Sequence, residues 1–216
     1  MTGSTVNLKG WAAVVIAAVV AACLLALLVA TKPADAAGRY KTLTKTLSNP
    51  SAITINDAQP ATPYPSTLAA GGMRRGKVLD MNLTLNNVSH TFPQDLDVLL
   101  VGPRGQQALV VSDVGGGGPG VSDVTLTLDD EATNSLPINT SPLSGSYQPT
   151  DADEFEGDSD SFASPAPTTS GGSALSAFDR TNPNGTWQLY VEDQWGGEVG
   201  EFAGGWSLTI RARVLR

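Results

Sequence analysis

One cysteine and one histidine in 216 residues exclude most of the chemistry that side chains perform. Cys23 lies inside an N-terminal apolar run, so the chain after residue 36 has no thiol. It therefore has no disulfide, no thiolate nucleophile and no cysteine-based zinc site. His90 alone leaves little room for a histidine-dependent catalytic constellation. Helical periodicity is missing as well: no segment beyond residue 36 repeats its apolar residues at three and four. There is no internal repeat. Aromatic residues make up only 6% of the chain.

The first 36 residues have the layout of an export segment. Lys9 precedes Trp11 to Ala30, twenty residues without a charge, and Ala34-Asp35-Ala36 follows as a small-x-small site. This is the pattern of a cleaved secretory signal. The run is also long enough to span a bilayer, so an uncleaved anchor through residues 11–30 is the alternative. Lys32, Arg39, Lys41 and Lys45 flank the run on its C-terminal side, which for a retained helix would hold that side in the cytoplasm. The export reading makes the protein secreted or extracytoplasmic. Val20-Ala21-Ala22-Cys23 loosely matches a lipoprotein box, but Leu24 to Ala30 continue the apolar run past it.

Removing residues 1–36 leaves eleven basic against twenty acidic residues, a net charge of −9. Nucleic acid is thereby excluded as a natural partner. About 180 residues can bury roughly 70% of their unfolded surface, enough for a core without disulfides.

Residues 37–66 carry Pro50, Pro60, Pro63 and Pro65 among Lys, Thr and Ser. They read as a semi-extended tether, with Ile53 and Ile55 marking a first edge strand. From residue 76 the pattern is β. Leu79, Met81, Leu83 and Leu85 alternate with polar residues, as do Trp187, Leu189 and Val191 and then Trp206, Leu208, Ile210, Ala212 and Val214. Asp97 to Val101 is a compact apolar run, as in a strand covered on both faces. Short strands punctuated by Gly and Pro indicate an all-β sandwich. Asp151, Asp153, Glu154, Glu156, Asp158 and Asp160 open an acidic, then Ser/Pro-rich, insertion at about 150–173. Together with the stretch from 133 it reads as a long disordered loop.

Five segments carry a family resemblance. Ser89-His90-Thr91-Phe92-Pro93-Gln94-Asp95-Leu96-Asp97-Val98-Leu99-Leu100-Val101-Gly102-Pro103-Arg104-Gly105 is the longest. The others are Leu128-Asp129-Asp130-Glu131-Ala132, Leu143-Ser144-Gly145-Ser146-Tyr147-Gln148-Pro149, Asn182-Pro183-Asn184-Gly185-Thr186-Trp187, and Gly200-Glu201-Phe202 through Trp206-Ser207-Leu208-Thr209-Ile210. In this order, over about residues 64–214, they resemble the P domain, or Homo B domain, of subtilisin-like proprotein convertases and their bacterial relatives. The departures are Gln94 for a Gly, Gly102 for a Ser, and the acidic insertion.

The resemblance implies a jelly-roll β-sandwich of galactose-binding-like type over residues 67–216. It also implies a domain that supports the folding and stability of a protease and influences its calcium and pH dependence. His90, Asp95, Pro103, Gly105, Asn182, Pro183, Gly185, Trp187 and Trp206 are its structural motif positions.

No catalyst is expected, and serine endopeptidase activity enters only as a third reading through the family association. A serine protease needs Ser, His and an acid converging, and no Gly-x-Ser-x-Gly elbow is present. The carboxylates of the acidic loop lack the rigid placement that glycoside hydrolysis requires. Gly115 to Gly118 is not followed by Lys-Ser/Thr and is no phosphate loop.

Calcium is the one cofactor considered, because hard oxygen ligands suit it. Asp95 and Asp97 share a face if the strand has already begun, and Asp129, Asp130 and Asp193 are candidates to converge at loop ends. The alternative is that Asp95 caps a turn and Asp129-Asp130 solvate a strand end. The acidic loop is no EF-hand, since Glu156 and Phe162 stand where Gly and Glu are required. Trp195 is either an exposed platform for a sugar, assisted by Tyr147 and Phe155, or an aromatic tucked against the sandwich edge. The expected function is a binding or accessory module beside a separate secreted subtilisin-like protease or envelope protein. A module binding surface glycan is the rival.

Overall fold

The computed structural model describes residues 38–152, 160–169 and 172–216. The apolar run of residues 11–30 lies outside them. Among the described residues no helix is long and apolar enough to cross a membrane. The chain divides into two units, Met1–Arg39 and Tyr40–Arg216, and the fold below is that of the second.

Twelve strands form among the described residues: β1 Tyr40–Asn49, β2 Ile53–Ile55, β3 Ser66–Ala70, β4 Lys77–His90, β5 Leu96–Val101, β6 Gln107–Ser112, β7 Val121–Leu128, β8 Gly145–Tyr147, β9 Thr150–Asp151, β10 Gly185–Asp193, β11 Gly200–Phe202 and β12 Trp206–Leu215. The helical content described is two 3-10 turns, Pro93–Asp95 and Leu175–Phe178. The all-β sandwich anticipated from alternation is therefore present.

One sheet has seven strands and is built on β4. On one edge β4 pairs with β12 over Lys77 to Leu85 and then with β11 over Val88 to His90; β7 takes the other edge. The second sheet has five strands in the order β3-β10-β5-β6-β9. The inward residues of both sheets make one core around Trp187, Trp206, Phe178 and Phe202, all fully buried. Each indole N–H has a partner inside that core: Trp206 donates to Ser66 Oγ at 2.9 Å and Trp187 to the Pro183 carbonyl at 3.0 Å. An unmet donor at either place would cost about 1–3 kcal/mol.

The Asn-Pro-Asn-Gly element is a corner that joins distant backbone. Asn184 accepts from the Met73 N–H at 3.0 Å and donates to the Met73 carbonyl at 2.7 Å. Gly185 opens β10 at φ +137°, and a Cβ there would stand 2.6 Å from Pro103 Cβ. This contact brings two of the motif segments together and explains why only glycine fits. Gly105 turns at φ +81° in the same corner.

Two segments differ from their sequence reading. Residues 40–66 are not a tether. β1 pairs with β12 along its whole length, β2 with β11 and β3 with β10. Leu43 and Leu47 pack half-buried on the core while Lys41, Thr42, Thr44 and Thr46 face solvent. Lysine on an edge strand discourages pairing with another chain, which is why an integral strand looked like a polar spacer.

Nor are residues 133–173 a disordered loop where they are described. β8 and β9 extend the two sheets, and residues 160–169 cover the outer face of the five-stranded sheet. Phe162 and Ala166 pack there on Leu99, Val101, Leu109 and Tyr190. Ala163 N–H donates to Glu192 Oε1 at 2.6 Å, and Tyr64 Oη donates to the Ala163 carbonyl at 3.0 Å. The burial of β5 on both faces, legible in its sequence, depends on this cover. Asp153, Glu154, Phe155, Glu156 and Asp158 lie outside the described residues.

The role of β1 is open to a direct test. Replacing Leu43 and Leu47 together by Asp should lower stability by about 2–4 kcal/mol in urea unfolding. A tether would leave it within about 0.5 kcal/mol of the parent.

Candidate functional site

The length of β4 decides where the chemistry gathers. Its last residue, His90, is 2% exposed. His90 pairs with Gly200 on one side and Val121 on the other. A Cβ on Gly200 would stand 2.6 Å from His90 Cδ2, so glycine is required for the strands to close over the ring. His90 Nδ1 lies 2.9 Å from the Phe92 carbonyl, and Nε2 lies 3.4 Å from Asp193 Oδ2, with both side chains sealed from solvent. The Phe92 N–H lies 3.3 Å from the same nitrogen, so Nδ1 finds a partner at Phe92 in either tautomer. The imidazole therefore bridges the end of one sheet to the end of β10 in the other. Among the described residues no serine hydroxyl hydrogen-bonds to it.

Around this bridge stand carboxylates. Asp193 Oδ1 accepts the Trp195 N–H at 3.2 Å. Asp97 on β5 is 1% exposed and accepts from Gln194 Nε2. Ser112 at the end of β6 donates to Asp160 Oδ1 at 2.8 Å. Asp95 ends the 3-10 turn before β5, and its carbonyl takes the Gln194 N–H at 2.9 Å.

The crowding shows in the acidities. Burial pushes Asp97 up to about 8, with Asp160 and Asp113 adding to it and hydrogen bonds from Ser112 and Gln194 opposing. Burial pushes Asp95 up to about 6, reinforced by Asp193, Glu198 and Asp113. Asp193 is raised by burial, against the pull of the Trp195 amide and His90. Desolvation and like charge act in the same direction here.

Above these buried acids is an open cleft of about 480 Å³, lined by Phe92, Gln94, Asp95, Asp113, Trp195 and Glu198. A second cleft of about 460 Å³ lies against Trp195, Asp193, Gln194, Pro60 and Ala163. Trp195 is 60% exposed, and Val199 nearby is 59% exposed. Trp195 is thus exposed and not tucked against the sandwich edge. Tyr147 does not assist it: it pairs with Leu128, at the end of β7 away from His90, and donates to the Leu143 carbonyl.

The five aspartates expected as calcium ligands do not assemble. Asp129 accepts from Asn82 Nδ2 at 3.2 Å, and Asp130 accepts from the Leu175 and Ser176 amides at 2.9 and 2.8 Å, near the start of β4. Asp193 is at the other end, because β7 runs antiparallel to β4 and leaves Asp129 eight residues of strand from His90. Asp95 and Asp97 do not share a strand face, since β5 begins at Leu96 and Asp95 belongs to the turn before it. Among the described residues no three acidic or histidine side chains gather in a metal-binding group. As the described residues place them, the five aspartates do not form one calcium shell.

No family model matches the chain, and no curated protein matches it. Among solved structures, one similar chain belongs to the Aeromonas sobria serine protease and chaperone (ORF2) complex. It is 15% identical with a TM-score of 0.37, over 82% of this chain and 27% of that one. Another is the serine protease of Aeromonas sobria, 14% identical with a TM-score of 0.34, over 88% and 29%. This chain spans less than a third of the length of either. A likeness of this extent decides neither family nor activity.

Gln194, Ser112, Asp113, Asp160, Glu198 and Phe92 belong to the site and were not among the sequence candidates. Gln194 and Glu198 flank Trp195 in sequence and were discoverable on that ground. Ser112 and Asp160 meet only through the fold.

A raised acid gives a signed prediction. Folded Asp97 holds its proton between about pH 4 and about pH 8, while the unfolded carboxyl releases it, so stability falls as pH rises through that window. Asp97→Asn should remove most of this fall. Between about pH 7 and about pH 9 the variant's urea midpoint should then differ little, where the parent still loses on the order of 1–2 kcal/mol; below about pH 7 both chains keep the fall that Asp95 contributes.

Proposed function

We propose that this chain is an exported, non-catalytic binding or accessory module of the P/Homo B type, jelly-roll and galactose-binding-like in topology. It acts beside a separate secreted subtilisin-like protease or another envelope protein. The observation that supports a binding role is the cleft between Phe92 and an exposed Trp195, carried on the ends of rigid strands. Trp195, 60% exposed with Val199 beside it in the chain at 59%, gives the cleft an exposed aromatic and aliphatic rim of the kind that binding faces use. The enclosure of His90 between Phe92 and Asp193 supports the non-catalytic reading, because a general base must reach the proton it takes.

A second reading has a specific observation in its favour. Exposed indole beside carboxylates is also what stacks on and hydrogen-bonds a sugar, so surface glycan is the rival ligand of the same face.

Affinity capture from native culture with the tagged full chain, alongside Trp195→Ala, separates the two. A subtilisin-like protease or a defined envelope protein should be enriched by the parent and depleted about 30-fold with the variant, as for a hot-spot tryptophan. Enrichment of polysaccharide instead transfers the reading to glycan. Equal recovery by both chains contradicts a Trp195-centred site.

A further inference from the structure

The cleft beside Trp195 carries information about its occupant. Asp95 is only 6% exposed, and what remains of its surface opens on the cleft. Among the described residues no hydrogen bond reaches its carboxylate, and no lysine or arginine pairs with it. Its charged neighbours are Asp193 from β10, Glu198 from the following loop and Asp113 from the end of β6, all of one sign. A largely buried carboxylate among like charges, with no protein donor and open only to what enters the cleft, is costly to ionise, and a cation there relieves that cost.

The walls narrow the choice of cation. Phe92 and Trp195 line the cleft together with the acid and offer it aromatic surface. Aromatic faces attract a weakly hydrated organic cation, whereas a small metal ion needs several oxygens around it, which this site does not assemble. Among side chains the guanidinium suits the place best. It is planar, it stacks on indole, it pairs with a carboxylate through two N–H groups, and it gives up water readily. The exposed Val199 provides an apolar rim, and the second cleft across Trp195, lined by Glu192, Asp193 and Gln194, provides a polar one, for residues flanking that side chain. The chain's net charge of −8 draws a basic partner toward it.

We infer that the cleft between Phe92 and Trp195 takes the guanidinium of an arginine side chain displayed by a protein partner, held on Asp95 and stacked against Trp195. This rests on the reading of the Trp195 end as the binding face and adds the chemical class of what it grips.

The experiment titrates the full chain with Nα-acetyl-argininamide and with its neutral isostere, Nα-acetyl-citrullinamide, reading amide NMR shifts at Asp95 and Trp195. Arginine should bind at least about tenfold more tightly than citrulline, and Asp95→Asn and Trp195→Ala should each weaken it about tenfold. Both variants should keep the parent's spectrum elsewhere, Trp195 being exposed. Binding should also fall about tenfold between pH 7 and pH 5, because Asp95 takes up its proton near 6.

Equal affinity for citrulline, unchanged affinity in folded Asp95→Asn, no shift with either amide, or displacement of the arginine probe by calcium chloride each overturn the inference. If the probe fails while partner capture still depends on Trp195, the binding module stands and the arginine pocket falls. If capture is also indifferent to Trp195, both fall together.

Discussion

Strand β4 must be satisfied along both edges over fourteen residues, and the rest of the sandwich is arranged to do that. No single strand covers one of its edges. β12 pairs as far as Leu85, the chain bends through Ala203 to Gly205, and β11 resumes at Val88. The bend is closed by Asn86 and Asn87 backbone groups, with Ala203 N–H donating to the Asn87 carbonyl at 3.0 Å. Because β4 reaches both ends of the sandwich, its polar termini define two distinct polar regions. Toward one end Asn82 donates to Asp129 and Asp80 pairs with Arg211. His90 faces Asp193 at the other. The acidic cleft lies at the His90 end because β5 and β10, paired antiparallel, bring Asp97 and Asp193 to the same edge of the opposite sheet.

Much of this arrangement was legible in the sequence where burial is one-sided. The alternations in β4, β10 and β12 gave the strands and their inward residues, since a half-buried sheet imposes a period of two. The run from Leu96 to Val101 gave a strand buried on both faces. β1 failed that reading because its inward face is filled by Leu43, Lys45 and Leu47, and Lys45 uses its stem for packing while Nζ donates to the Gly71 carbonyl. The segment 160–169 failed it for another reason. Its cohesion comes from backbone groups meeting Tyr64, Gln107 and Glu192, partners 29 to 99 positions away. Composition cannot encode such contacts.

The candidate site was legible as residue types and not as an assembly. Trp195, Asp95, Asp97, Asp193 and His90 were all singled out, and four of them meet with the fifth at one end. Asp129 and Asp130 were grouped with them because loop-end carboxylates look alike in sequence. Their separation follows from strand direction, a property of pairing that spacing does not reveal. Glu198 and Asp113 matter because they deny Asp95 a favourable field, an effect visible only when the loops after β10 and β6 are seen side by side.

The chain thus gathers carboxylates at the His90 end of the sandwich, where burial and like charge hold Asp95 and Asp97 above the ordinary range. The most direct measurement is a carboxyl-carbon NMR titration resolving Asp95 and Asp97 in the full chain. The account predicts midpoints of about 6 for Asp95 and about 8 for Asp97. Midpoints for both near about 4, the ordinary carboxylate range, would show that the cluster is already solvated or neutralised and would contradict it.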